Sequence, residues 1–206
     1  MKKHSNNYRI YEIQQDLINF LKGEGTYSNR PTNRIDSQIY SHYGQIKTHS
    51  DKYIGIIIEL ENRLYFAPIT HDGDKKWLNK RDDTYDFEIV YDKFNKYTGS
   101  LLLCKALPLT ENLVDFKSLE KIRNTEGEQY ANLCNDELHY LNSKDIHDKI
   151  QDKMQACIYG KESNCMSLRV NYHLAIENVA EYNALIIEKQ NKEIKELEKI
   201  IKNNEK

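Results

Sequence analysis

No apolar run in this chain is long enough to cross a bilayer. Runs such as residues 54–58, interrupted only by Gly55, and residues 101–103 are far short of the roughly 20 residues a spanning helix needs. No charge of one sign dominates: 30 Lys+Arg stand against 32 Asp+Glu, a formal net charge of −2. A protein that coats DNA nonspecifically carries a global basic field, so that class is disfavoured, and any nucleic-acid site must be a local basic face. The opening MKKHSNNYRIYEI has lysines but no apolar signal-peptide core, which makes the cytoplasm the expected compartment. Cys104, Cys134, Cys157 and Cys165 form no CxxC and have no His pair at zinc-finger spacing. Reduced thiols are the default, with a Cys157–Cys165 disulfide as the lesser alternative. Asp72 and Asp74 flank a glycine but lack the later glycine and glutamate of a calcium loop. No metal or other cofactor is expected.

What is present suits one globular domain, or a domain with an extension. The chain has 206 residues, 39% hydrophobic and 30% charged, with 15 tyrosines available to fill a core. The first half reads as β-rich. Residues 8–13 suggest a strand, and residues 16–22 a helix with Leu17, Phe20 and Leu21 inward, stopped by Gly23. Residues 23–50 are polar and irregular. Residues 53–60 and 63–69 flank Glu61-Asn62 as an antiparallel hairpin, in which Pro68 fits only near an edge or an end. Residues 85–91 and 100–107 read as further strands, with Gly99 as a turn.

The second half reads as helical. Tyr130, Leu133, Cys134, Glu137, Leu138 and Leu141 recur at three- and four-residue steps on one face. Ser143 is placed to cap a helix with Ile146, Ile150, Met154 and Cys157 inward, and Gly160 to end it. A last helical region starts near residues 165–168 and runs through Leu174, Val179, Tyr182 and Leu185. Its tail has Ile187, Ile194 and Ile201 seven apart with Leu197 between, the spacing of two coiled-coil heptads; a solvated terminal helix is the competing reading.

Chemistry concentrates in YFAPITHDGDKKWLNK, residues 65–80. A strand end lifts side chains to the rim of a sheet. Thr70 offers a hydroxyl, His71 exchanges protons near neutrality, and Lys75 and Lys76 suit a phosphate. Upstream, YSHYGQIKTHSDKY brings Tyr43, Lys47, Lys52 and Tyr53 to the start of the preceding strand. Both segments lie at the open end of the hairpin, so they converge. Such groups can divide the tasks of RNA cleavage without a metal, and aromatic rings can stack splayed bases. An ordinary solvated turn has the same composition, with Trp77 as a core anchor. A silent RNA-binding module is the other functional reading.

Three segments carry a family resemblance: YRIYEIQQDLINFL, KYIGIIIELENRLYFAPITHDGDKKW and YANLCNDELHYLNSKDIHDKIQDKMQACIYG. In order and spacing they resemble the ToxN/AbiQ toxins of type III toxin–antitoxin and abortive-infection systems. The resemblance implies an α+β fold, a twisted antiparallel sheet like the Kid/MazF partial barrel with packed helices and a long C-terminal helix. The expected division is an endoribonuclease domain at residues 1–182 and, outside the resemblance, a helical extension, a possible short coiled coil, at 183–206. The resemblance also implies a metal-independent endoribonuclease toxin that attacks through a 2′-OH and leaves a 2′,3′-cyclic phosphate. Its partners would be a repeat-encoded RNA pseudoknot antitoxin and cellular or phage RNA substrates, in an oligomeric RNA–protein assembly, with no DNA and no membrane. Thr70 matches the family's hydroxyl after the AP strand and Lys75 its loop lysine. His71 stands where the family usually has a second hydroxyl. The expected catalytic set is Thr70, His71, Lys75 and Lys52; the expected RNA contacts are Tyr43, Lys47, Lys76, Trp77 and Tyr53.

Overall fold

The computed structural model describes residues 7–23, 25–28, 54–70, 87–159 and 172–204. It is an α+β fold in which seven strands form one antiparallel sheet with helices around it. The strands are β1 (Ile10–Ile13), β2 (Ile54–Leu60), β3 (Arg63–Thr70), β4 (Phe87–Tyr91), β5 (Tyr97–Leu102), β6 (Leu107–Leu109) and β7 (Val114–Phe116). The helices are α1 (Gln15–Lys22), α2 (Leu119–Glu126), α3 (Glu128–Leu141), α4 (Lys144–Tyr159) and α5 (Tyr172–Asn204).

The strand order is β4-β5-β3-β2-β1-β7, with β6 also pairing β3. The β2–β3 hairpin is its centre. Glu61 and Asn62 take φ of 52° and 61°, the left-handed pair whose twist matches that of two antiparallel strands. Ile56, Ile58, Tyr65, Phe66 and Ile69 are buried, because this hairpin has neighbours on both sides. Gly55 is required here: a Cβ would stand 2.2 Å from the Ala67 carbonyl oxygen.

Pro68 is on a central strand but only two residues before its end, near a strand end as expected. It faces Gly55 within the central hairpin. On its other flank β3 pairs β6 through Leu64–Phe66 and β5 through Ile69–Thr70. Pro68 sits where β3 changes partner, so its missing N–H falls at a gap in the ladder. The expected strand over residues 100–107 is also divided. β5 ends at Leu102, a 3₁₀ turn spans Leu103–Lys105, and β6 follows. Gly99 lies inside β5 rather than in a turn.

Gly23 closes α1 as its φ of 64° requires, its N–H reaching the Phe20 carbonyl at 3.1 Å. The α3 and α4 faces are those the spacing predicts: Cys134, Glu137 and Leu141 are buried in the first, Ile150, Met154 and Cys157 in the second. Cys157 is buried and in no disulfide, as are Cys104 and Cys134. Gly160 lies outside the described residues. Helix α5 is continuous across residue 182. Tyr172, Ala175, Val179 and Tyr182 enter the core, whereas Leu185 is exposed. No described helix is long and apolar enough to cross a membrane.

Candidate active site

Thr70 is the last residue of β3 and is 7% exposed. Its register partner on β5 is Ser100, which is completely buried. Residues directly opposite in an antiparallel pair share a sheet face, so the two hydroxyls stand on the same side. A third hydroxyl joins them. Tyr91 pairs Tyr97 while Val90 pairs Gly99, which leaves Thr98 as one extra residue in β5. A bulge of one residue reverses the alternation and turns Tyr97 onto the Ser100 face. Tyr97 Oη accordingly lies 3.3 Å from Ser100 Oγ. Thr98 Oγ1 donates to the Val90 carbonyl at 3.1 Å and closes the bulge.

Gly99 sets how closely β5 approaches β3. A Cβ on Gly99 would lie 2.2 Å from the Thr70 carbonyl oxygen and 3.4 Å from Glu137 Oε1 on α3. No side chain fits there without moving the strand that carries Thr70.

The opposite face of the same strands is charged and buried. Glu88 faces Leu101 and hence lies away from Ser100. Its Oε2 accepts from Lys153 Nζ at 2.7 Å, and its Oε1 from Lys149 Nζ at 3.1 Å and Tyr140 Oη at 3.2 Å. Lys153 Nζ also donates to the Phe87 carbonyl at 2.7 Å. Four donor contacts thus bind β4 to α3 and α4 directly behind the hydroxyl cluster. Burial this complete costs several kcal/mol per ion and is tolerated because both charges are paired and hydrogen-bonded.

Of the residues expected at the site, Thr70 is placed at the open end of the β2–β3 hairpin, as expected. Tyr43, Lys47, Lys52, Tyr53, His71, Lys75, Lys76 and Trp77 lie outside the described residues. Sequence reasoning missed Ser100 and Tyr97. The available signal was a serine at the head of the apolar run SLLLCKAL, three residues after a tyrosine. The bulge that aligns them has no signature in composition.

The fold and this strand end define a class: an antiparallel-sheet α+β protein with hydroxyls gathered where its central strand meets a lysine-bearing segment. The chain belongs to the ToxN family, the toxins of type III toxin–antitoxin systems, whose family model matches residues 9–202. It is 22% identical over 153 residues to an endoribonuclease ToxN from Bacillus thuringiensis subsp. kurstaki, covering 74% of this chain and 68% of that protein. The fold is similar to that of AbiQ, a lactococcal anti-phage endoribonuclease of the type III group, with a TM-score of 0.62 at 14% identity over 86% of this chain and 99% of that one. It is also similar to a bacterial type III toxin that is selectively inhibited by a non-coding RNA pseudoknot, with a TM-score of 0.58 at 21% identity over 86% and 98% of the two chains.

Proposed function

We propose that this toxin is a cytoplasmic endoribonuclease that cuts RNA without a metal, by attack of a 2′-OH on the adjacent phosphorus. The new bond joins the 2′-oxygen to phosphorus as the bond to the 5′-oxygen breaks. The 2′-OH proton goes to a base and another proton goes to the leaving 5′-oxygen, leaving a 2′,3′-cyclic phosphate. Thr70 hydrogen-bonds a phosphate oxygen. His71 is the proton carrier that the sequence puts next to it, and Lys75, with Lys52 or Lys76, balances the charge that builds on the equatorial oxygens. Tyr43, Lys47, Tyr53 and Trp77 hold the RNA by phosphate contacts and stacking. A structured RNA antitoxin inhibits the enzyme by occupying the same groove, in an RNA–protein assembly of more than one toxin.

The observation that carries this reading is Thr70 itself, a hydroxyl held at the end of the central strand beside Ser100 and Tyr97. The test is cleavage of cellular RNA by the purified protein in excess EDTA, with end-group analysis of the fragments. Cyclic-phosphate ends that appear at an unchanged rate support it. Activity that vanishes and returns only with magnesium overturns it. Gel-shifted but uncut RNA would make the protein a binder.

A further inference from the structure

Six of the nine exposed large hydrophobic residues in the described part of the chain lie on one stretch of α5: Leu185, Ile187, Ile194, Leu197, Ile200 and Ile201. The burial of α5 ends at Ile186, and every described side chain from Ile187 to Lys202 is exposed. The helix nevertheless continues to Asn204, an overhang of 18 residues or roughly 27 Å at the usual rise. A helix that only meets water places polar residues all round. Here Ile187, Ile194 and Ile201 occupy one heptad position and Leu197 the other, each more than half exposed. Lys192, Lys195, Lys199 and Lys202 run along the opposite side.

We propose that this overhang is a homodimerisation element, in which the tails of two copies pair side by side and antiparallel. Two observations choose the occupant and its direction. The seam is turned by about 70° from the face that Val179, Tyr182 and Ile186 press into the core, at 100° per residue. A parallel partner laid on the seam would run its own Tyr172–Ile186 segment into the body of the first copy. An antiparallel partner keeps the two bodies at opposite ends of the paired tails. Charge agrees: parallel pairing sets Glu193 beside Glu198 of the second copy on both flanks, whereas antiparallel pairing sets Glu198 beside Asn191 and Glu193 beside Ile200. The central layers are then Ile194 against Leu197, twice, with Gln190 against Ile201 outside them.

Size is adequate. Pairing the two stripes removes on the order of 1,000 Å² from water, the low end for a specific interface. A free helix of this length is marginal in water, but this one grows out of a segment already anchored in the core. Little ordering entropy is left to oppose association.

The test is sedimentation of the full chain at tens of micromolar, after ribonuclease digestion and a high-salt wash to remove bound RNA. Twice the chain mass is expected, falling to the chain mass for Ile194→Asp/Leu197→Asp. Both sites are exposed, so folding persists, which far-UV circular dichroism checks. Lys192→Asp/Lys199→Asp, on the opposite side, leaves the dimer intact. A mixture of Gln190→Cys and Ile201→Cys chains oxidises to the mixed disulfide, while Gln190→Cys alone does not link, its two copies lying about 16 Å apart along the axis. A monomeric wild type, a dimer that ribonuclease abolishes, or a dimer indifferent to the aspartates overturns the proposal; self-linking of Gln190→Cys overturns the antiparallel arrangement. None of these readouts depends on RNA cleavage.

Discussion

Lys153 Nζ lies 2.7 Å from Glu88 Oε2, with both side chains nearly inaccessible to water. The pair fastens α4 to β4 behind the hydroxyl cluster, and the cluster inherits its rigidity. Removing one partner strands a buried charge. Lys153→Met is therefore expected to cost about 3–5 kcal/mol, read from urea unfolding, whereas Glu88→Leu/Lys153→Met together cost much less than the sum of the two singles. Lys149 is 39% exposed, so Lys149→Met changes stability by well under 1 kcal/mol.

Thr70→Val keeps the shape and the β propensity of the side chain and deletes the hydroxyl. RNA cleavage is expected to fall by about 10²–10³ with the melting temperature nearly unchanged. Ser100→Ala and Tyr97→Phe act on Thr70 through their shared face. Each lowers cleavage by a smaller factor, without the loss of RNA binding that a gel shift would detect. If Thr70→Val cuts RNA normally, the reacting phosphate lies elsewhere.

Gly99→Ala and Gly55→Ala form a matched pair. Each added Cβ meets a β3 carbonyl oxygen at 2.2 Å, and each should destabilise by about 1–3 kcal/mol through forced backbone shifts. Only Gly99→Ala pushes on Thr70. Its cleavage rate, measured well below both melting temperatures, should drop at least tenfold further than that of Gly55→Ala.

Asn142 ties the end of α3 to the start of the sheet. Its Oδ1 accepts from the Tyr8 N–H at 2.5 Å and its Nδ2 donates to the Tyr8 carbonyl at 3.1 Å. An amide side chain here imitates a neighbouring strand. Asn142→Leu leaves both backbone groups unpaired and should cost about 1–3 kcal/mol. Hydrogen exchange should speed up at Tyr8 before it does in the central hairpin.

Alkaline pH should unfold the protein early. Burial pushes the Tyr8 phenol up to about 12, the Gln151 hydrogen bond opposing and the Asp148 charge assisting. Burial, then the Glu137 charge, pushes the Cys134 thiol up to about 12. Both groups hold their protons to higher pH folded than unfolded. Their contribution is complete below the ordinary thiol and phenol values and is lost as pH rises through the folded ones. Stability should decline steadily from about pH 9 upward, and Cys134→Ala should flatten the first part of that decline in a pH series of thermal melts.

The central hairpin was legible because its code is local: a two-residue turn flanked by strands rich in β-branched and aromatic residues. The faces of α3 and α4 were legible from three- and four-residue steps. The division of residues 100–107 was not, since an apolar run has no period with which to mark a 3₁₀ turn. Gly99 was misread as a turn because close approach to β3 and a turn both demand glycine. Pro68 did mark the neighbourhood of a strand end, but the change of partner along β3 there was not legible, because it depends on β5 and β6, thirty or more residues on in the chain. Thr70 could be found from its place after the strand. Ser100 and Tyr97 could not, because only the register and one bulge bring them beside it.

Asp16 accepts hydrogen bonds at 3.0 Å from both Tyr27 and Tyr182, and Tyr182 stacks at a tilt on Phe20. The first helix of the chain is therefore covered by the last. During synthesis β1 must also wait for β7, whose strand lies beyond residue 113. A ribosome-bound chain carries α1 with its apolar face uncovered until α5 has emerged. The order of synthesis thus delays completion of the enzyme, and a chain truncated before Tyr182 would reach the cell unfinished, without the buried contacts that complete its core.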